Sequence, residues 1–151
     1  MNNSDFYTYR GYRIKDGKLL SPSMEDYIEM IYRLSCEKNI VRVNDLSESL
    51  NVQPPSITKM IKRLSRDGYV NYKKYGFVNL TDKGIEVGKY LLFRHETIFV
   101  FLGLIGVKEN LLEQTEKIEH AICEETLEKI NYLINFLQNN YKLNDENQKK
   151  I

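Results

Sequence analysis

Glu116, Glu119 and His120 stand at offsets of three and four residues, the spacing that puts side chains on one face of a helix. Two carboxylates and an imidazole so placed can grip a single ion. Alone the run is a weak signal, because acidic helix faces are common and usually just solvated. Upstream, Asp26 and Glu29 are again three residues apart, and His95 is the only other histidine of the chain. Four carboxylates and two imidazoles with no thiolate suit a borderline-hard divalent ion such as Mn2+ or Fe2+. Zn2+ and Co2+ could substitute, and by intrinsic affinity would often bind tighter. These candidate donors exceed the needs of one octahedral ion once waters are counted, so a carboxylate-bridged pair of ions is an option. The competing reading makes the acids surface charges and the histidines caps or core residues, and spacing alone does not separate the two.

Such a set has to be positioned by helices, and the apolar spacing predicts them. Ser23 can cap a helix from Met24 to about Lys38, with Ile28, Ile31, Tyr32 and Leu34 as its apolar stripe. Val41 to Val43 reads as a short extended piece, and Asn44 caps a helix through Leu50 that turns Leu46 and Leu50 inward. After a turn at residues 51–53, Pro54 and Pro55 suit a helix entrance, and that helix runs to about Asp67 with Ile57, Ile61 and Leu64 buried. Gly68 stops it. Two strand-like runs follow, 69–72 and 77–80, and Thr81 caps a long helix that carries His95 and reaches Leu104 despite Gly84, Gly88 and Gly103. Further helices fit 109–122 and 124–139, and the polar tail from Asn140 is expected to fray. Residues 1–20 differ from the rest: Tyr7, Tyr9, Arg10, Tyr12 and Arg13 alternate with polar residues, and Asp16-Gly17 suits a hairpin turn. A loosely docked arm is expected there, rather than a DNA contact.

A length of 151 residues allows one compact domain or two small ones sharing a core. Apolar content of 42% and a net charge of +1 exclude a wholly disordered chain or a basic tail. Charge distribution says more. From Gln53 to Tyr75 six positive residues face Asp67 alone, a net of +5; from Leu91 to the end seven positive residues face ten acids, a net of −3. A basic middle and an acidic final third suggest a nucleic-acid face with a different task behind it. Cys36 and Cys123 share no metal-binding spacing and are expected to be buried, reduced thiols. With no signal-like segment and no run long enough to span a bilayer, a cytoplasmic protein without membrane contact is expected.

Helix, turn, helix and then a basic two-stranded ribbon is the order of a winged helix-turn-helix. Its second helix enters the major groove of double-stranded DNA with its N-terminal residues near base edges. Here those are Pro54, Pro55, Ser56, Thr58 and Lys59. Ser56 and Thr58 can hydrogen-bond bases or phosphates, while Lys59, Lys62 and Arg63 supply the phosphate attraction that dominates affinity. Lys73 and Lys74, at the ribbon tip, would follow the backbone or minor groove. A basic helix and hairpin merely solvated on the surface is the bland alternative, and the charge excess in the right element order argues against it.

The segments Ser21-Pro22-Ser23-Met24-Glu25-Asp26-Tyr27-Ile28-Glu29, Ser56-Ile57-Thr58-Lys59-Met60, Arg94-His95-Glu96 and Glu116-x-x-Glu119-His120 resemble the diphtheria toxin repressor family. The closer likeness is to its manganese transport regulator branch, over about residues 21–140. The resemblance implies a mainly α fold: a winged helix-turn-helix DNA-binding domain (21–90) followed by an all-helical metal-binding and dimerisation domain (91–140). Flanking these are the arm (1–20) and a polar tail (141–151). It implies metal ligands at Asp26, Glu29, His95, Glu116, Glu119 and His120, forming a binuclear site. Iron-responsive members would carry methionine in place of Asp26 and cysteine in place of Glu116. Their ancillary site would use the positions of Phe99 and Leu112, which cannot ligate metal, and the third, SH3-like domain typical of them is not expected here.

The implied protein is a Mn2+-responsive repressor of manganese uptake genes. It would bind a pseudo-palindromic operator as a homodimer, with Phe101, Leu104, Ile130, Leu133, Ile134 and Phe136 in the dimer core. No organic small-molecule substrate and no enzymatic activity are expected. The alternatives are an iron-responsive repressor of the same family, a small dinuclear metalloenzyme, or a metal-independent DNA-binding module whose acidic cluster is structural. Against the enzyme, di-iron bundles use two Glu-x-x-His segments, and neither histidine here has an acid three residues before it.

Overall fold

The first helix is set by two residues that resolve its unpaired N-terminus. The Met24 N–H donates to Ser21 Oγ at 3.3 Å, and Pro22, which has no N–H to leave unpaired, takes the opening position. Helix α1 therefore runs Pro22–Glu37, with Ser21 and not Ser23 as its cap. The structure is a computed structural model that describes residues 20–38, 40–72 and 76–148. The N-terminal arm with its expected turn at Asp16-Gly17, and Lys73 and Lys74 at the ribbon tip, lie outside those residues.

α1 buries Met24, Tyr27, Ile28, Ile31 and Leu34, while Tyr32 stays half-buried. Helix α2 (Val43–Leu50) starts one residue ahead of Asn44. The reason is Asp45, whose Oδ2 accepts from the Arg42 backbone N–H at 2.8 Å and so makes Arg42 the cap residue. Asn51 ends α2 in the left-handed region at φ 53°, a conformation asparagine tolerates better than most residues. Helix α3 (Pro54–Arg66) follows, its Ile57, Ile61 and Leu64 fully buried. Gly68 leaves it at φ 80°, and strands β1 (Val70–Tyr72) and β2 (Val78–Leu80) pair antiparallel with Val70 opposite Leu80. Val41 adds a single bridge to Val78. α1 packs on α2, α3 and β2, and α3 packs on α2 and β1. This is the winged helix-turn-helix order, with the two-stranded ribbon as the wing.

Helix α4 spans Asp82–Leu104 without interruption. Thr81 caps it as expected: its hydroxyl accepts from the Gly84 N–H at 3.1 Å and donates to the Gly68 carbonyl at 2.8 Å. Two interior glycines answer to packing. A Cβ on Gly84 would lie 2.1 Å from the Tyr69 carbonyl oxygen, and one on Gly88 would lie 2.7 Å from Tyr32 Cβ. Glycine there admits close approach, which outweighs its low helix propensity.

The chain divides into two compact units, Met1–Gly88 and Lys89–Ile151, the boundary falling within α4. The second unit is built on Ile98, Leu102 and Leu127, with Tyr90, Phe101, Val107, Leu111, Ile122 and Ile130 packed around them. Its helix α5 (Leu111–Glu119) is shorter than the periodicity predicts. The last helix, α6, runs Glu124–Gln148 and does not end near Asn139. Residues 140–148 contain no proline or glycine and several good helix formers, so nothing local stops the helix. Ile134 is buried in its own protomer and Phe101 and Ile130 pack on the unit's own cluster, so of the expected dimer residues only Leu104, Leu133 and Phe136 are exposed. Both cysteines are free and exposed, contrary to the expected burial: Cys36 is on the solvent side of α1, and Cys123 lies in the connection before α6 and not within a helix. Among the described residues no helix is long and apolar enough to cross a membrane.

Candidate metal centre and DNA-binding face

α4 and α5 bring together one group of chemistry-bearing side chains in the second unit. Glu119, the last residue of α5, is 1% exposed, and His95 on α4 is 5% exposed. His95 Nδ1 donates to Glu119 Oε2 at 2.8 Å and lies 3.5 Å from Glu116 Oε1. His120 occupies the C-cap of α5 with near-helical dihedrals (φ −68°, ψ −18°), which keeps it on the face of Glu116 although it lies just beyond the helix. Its Nε2 is 3.8 Å from Glu119 Oε1. Glu116, Glu119 and His120 each present a ligand atom within 4.8 Å of the others, and so do His95 and Glu119.

A carboxylate as buried as Glu119 demands positive charge or strong hydrogen bonds. Part of that demand is met by Arg94, 3% exposed, whose Nη2 lies 3.9 Å from Glu119 Oε1 and 3.2 Å from His120 Nδ1. Sequence reasoning assigned Arg94 no part in the site. Neighbouring residues on a helix point about 100° apart, so nothing in its spacing revealed that it would reach the same carboxylate as His95. The donor chemistry fits a divalent cation of intermediate hardness: two carboxylates and two imidazoles at bridging separations, partly buried, with the thiols of Cys36 and Cys123 exposed outside the group.

The other two predicted donors belong to the first unit. Asp26 is half-buried on α1 and Glu29 is buried one turn on. Glu29 Oε1 accepts from Arg33 Nε at 2.9 Å and from Arg33 Nη2 at 2.6 Å. Next to them Tyr27 is held above the ordinary phenol value, by burial first and by the Asp26 carboxylate second.

The residues expected to face nucleic acid also lie in the first unit. On α3, Pro55, Ser56, Lys59, Lys62 and Arg63 are exposed and Thr58 is half-buried, opposite the buried stripe. An open groove of about 770 Å3 runs along this side, lined by Arg42, Asn44, Thr58, Lys62, Tyr72 and Phe77 among others. Arg42 lies 5.8 Å from the centroid of the Phe77 ring, a cation–π contact between the start of α2 and the wing. Neither residue was expected to take part, because they come together only when β2 pairs with its neighbours.

Comparison with known proteins agrees with this division of labour. Residues 19–78 match the family model for the iron dependent repressor, N-terminal DNA binding domain. Residues 81–146 match the model for the iron dependent repressor, metal binding and dimerisation domain. The HTH-type transcriptional regulator MntR of Geobacillus thermodenitrificans is 45% identical over 119 residues, 78% of this chain and 84% of that protein. The MntR of Bacillus subtilis is 43% identical over 121 residues, 80% of this chain and 85% of that protein. Among solved structures, that of the manganese regulator SloR superposes with a TM-score of 0.67 at 27% identity over 78% of this chain. The match spans 55% of the SloR chain. With both family models covering most of its length, and relatives this similar over most of theirs, the chain belongs to the iron-dependent repressor family.

Proposed function

We propose that this protein is a Mn2+-responsive transcriptional repressor that acts in the cytoplasm. It binds a pseudo-palindromic operator in double-stranded DNA as a homodimer and controls manganese uptake genes. The observation that carries the reading is the buried carboxylate of Glu119 set between His95 and His120, in a family whose second domain binds metal. The names of the relatives support manganese over iron, and so does a carboxylate at position 116, where the iron branch would have a thiolate.

Asp26, Glu29, His95, Glu116, Glu119 and His120 are the ligand set, sufficient for two ions. A bound ion supplies the positive charge that lets these carboxylates converge without mutual repulsion. The chain's own residues do the rest. His95 and Glu119 hold each other's orientation through the 2.8 Å hydrogen bond, so the donors are pre-arranged. Ser56, Thr58 and Lys59 at the start of α3 read the major groove, while Lys62, Arg63 and Arg42 attract phosphate. Metal bound by these residues would shift the population toward dimers whose two readers fit successive grooves, and by linkage DNA would tighten metal binding in return.

Gel shifts on duplexes selected from a random pool in Mn2+ test this, titrating Mn2+, Fe2+ and Zn2+ separately. Operator affinity should rise with Mn2+, and Glu119→Ala or His120→Ala should abolish the rise. Equal affinity in chelator and in every metal would sink the proposal.

A further inference from the structure

Arg94 is a charged side chain at 3% exposure with a guanidinium that the ligand set does not use. A guanidinium only donates, and this one lies 3.2 Å from His120 Nδ1, so it occupies one of the two nitrogens through which that ring could hold an ion. The same group lies 3.9 Å from Glu119 Oε1, so a divalent ion held by Glu119 also meets its positive charge at close range.

We infer that Arg94 is the resident counter-cation of the metal centre. Its charge opposes a second cation at Glu119 and its contact occupies His120 Nδ1, so it sets the metal concentration at which the protein responds. The inference rests on the proposed metal-regulator reading and adds to it the residue that tunes affinity. Arg94 is a positioning residue in this sense, acting on the ligands and not on the ion.

The test compares the full-length dimer with Arg94→Met, Arg94→Gln and Arg94→Lys, each checked for folding by circular dichroism. Calorimetric titration with Mn2+ and the melting temperature in chelator are read on each. Arg94→Met should bind Mn2+ about tenfold more tightly or better, the ratio expected when one buried charge-assisted contact no longer competes. Its metal-free melting temperature should fall, and its rise on adding Mn2+ should exceed that of the unaltered protein. Arg94→Gln, which keeps a neutral donor toward His120, covers the case in which methionine prevents folding and should also bind more tightly. Arg94→Lys should stay near the unaltered affinity because the charge remains. Folded Met or Gln variants with unchanged or weaker Mn2+ affinity would overturn the inference while leaving the metal-regulator reading intact. Failure of the unaltered protein to bind Mn2+ at all would overturn both.

Discussion

At the scale of single residues, most of the chemistry rests on carboxylates whose partners are fixed. Glu119 is shared by His95, Arg94 and His120, and Glu29 by Arg33. Asp45 offers the clearest pH test, being distant in sequence from the proposed metal ligands. Its carboxyl is held below the ordinary value, first by the hydrogen bond from the Lys38 ammonium and second by the Arg42 backbone N–H. A depressed carboxylate contributes stability above its unfolded value and loses it as pH falls through the folded one. Asp45→Ala should therefore cost about 0.5–2 kcal/mol near neutrality, the usual worth of a capping residue. That gap should hold from about pH 6 to 8 and close as the pH drops below roughly 4. Urea unfolding of both proteins across that range checks it; a gap that widens in acid contradicts the assignment.

At the scale of elements, the telling case is the uninterrupted α4. Its glycines look alike to a propensity scale, yet they differ in surroundings. Gly84→Ala should gain roughly 1 kcal/mol in helix propensity, but the added methyl meets the Tyr69 carbonyl oxygen at 2.1 Å, and that is backbone with little room to move. A net destabilisation of at least about 1 kcal/mol is expected, since overpacking typically costs about 1–3 kcal/mol. Gly103→Ala meets nothing nearer than Leu111 Cδ2 at 3.9 Å and should stabilise by about 0.4–1 kcal/mol. Paired denaturation curves decide, and the same sign at both positions would show that propensity alone governs this helix. The helix starts carry a similar lesson. Ser21 and Arg42 are the caps because the partners at Met24 and Asp45 are in reach, whereas Ser23 and Asn44 satisfy a pattern that the backbone does not use.

At the scale of the whole molecule, the chain pairs a basic reading unit with an acidic, metal-binding unit, and its family's second domain is also a dimerisation domain. The exposed apolar side chains of the second unit give that property a location. On α4 they are Phe93, Phe99, Val100 and Leu104, and on α6 Tyr132, Leu133 and Phe136, each 39% exposed or more. So many large apolar groups on two helices are better explained by a partner surface than by solvent. Phe136→Glu should shift the protein from dimer to monomer in sedimentation and lower operator affinity by at least about tenfold, because one chain carries one reader. Its circular dichroism should be unchanged, since Phe136 is 54% exposed in the single chain. A dimer that survives this change would place the interface elsewhere.

The sequence by itself determined what depends on local pattern. The 3.6-residue period marked the helices, Pro54 and Gly68 bounded the third of them, and the charge excess after Gln53 marked the expected DNA face. The offsets within Glu116 to His120 offered three candidate donors. Resemblance in ordered motifs added Asp26, Glu29 and His95 to the expected set. Tertiary structure decided what depends on contacts distant along the chain. It buried Glu119 between His95 and Arg94, brought Phe77 beneath Arg42, and turned Ile134 inward while leaving Phe136 outside. The physical reason is that period and propensity fix which face a side chain occupies on its own helix. Which charge or ring meets it there is set only when another helix packs against that face.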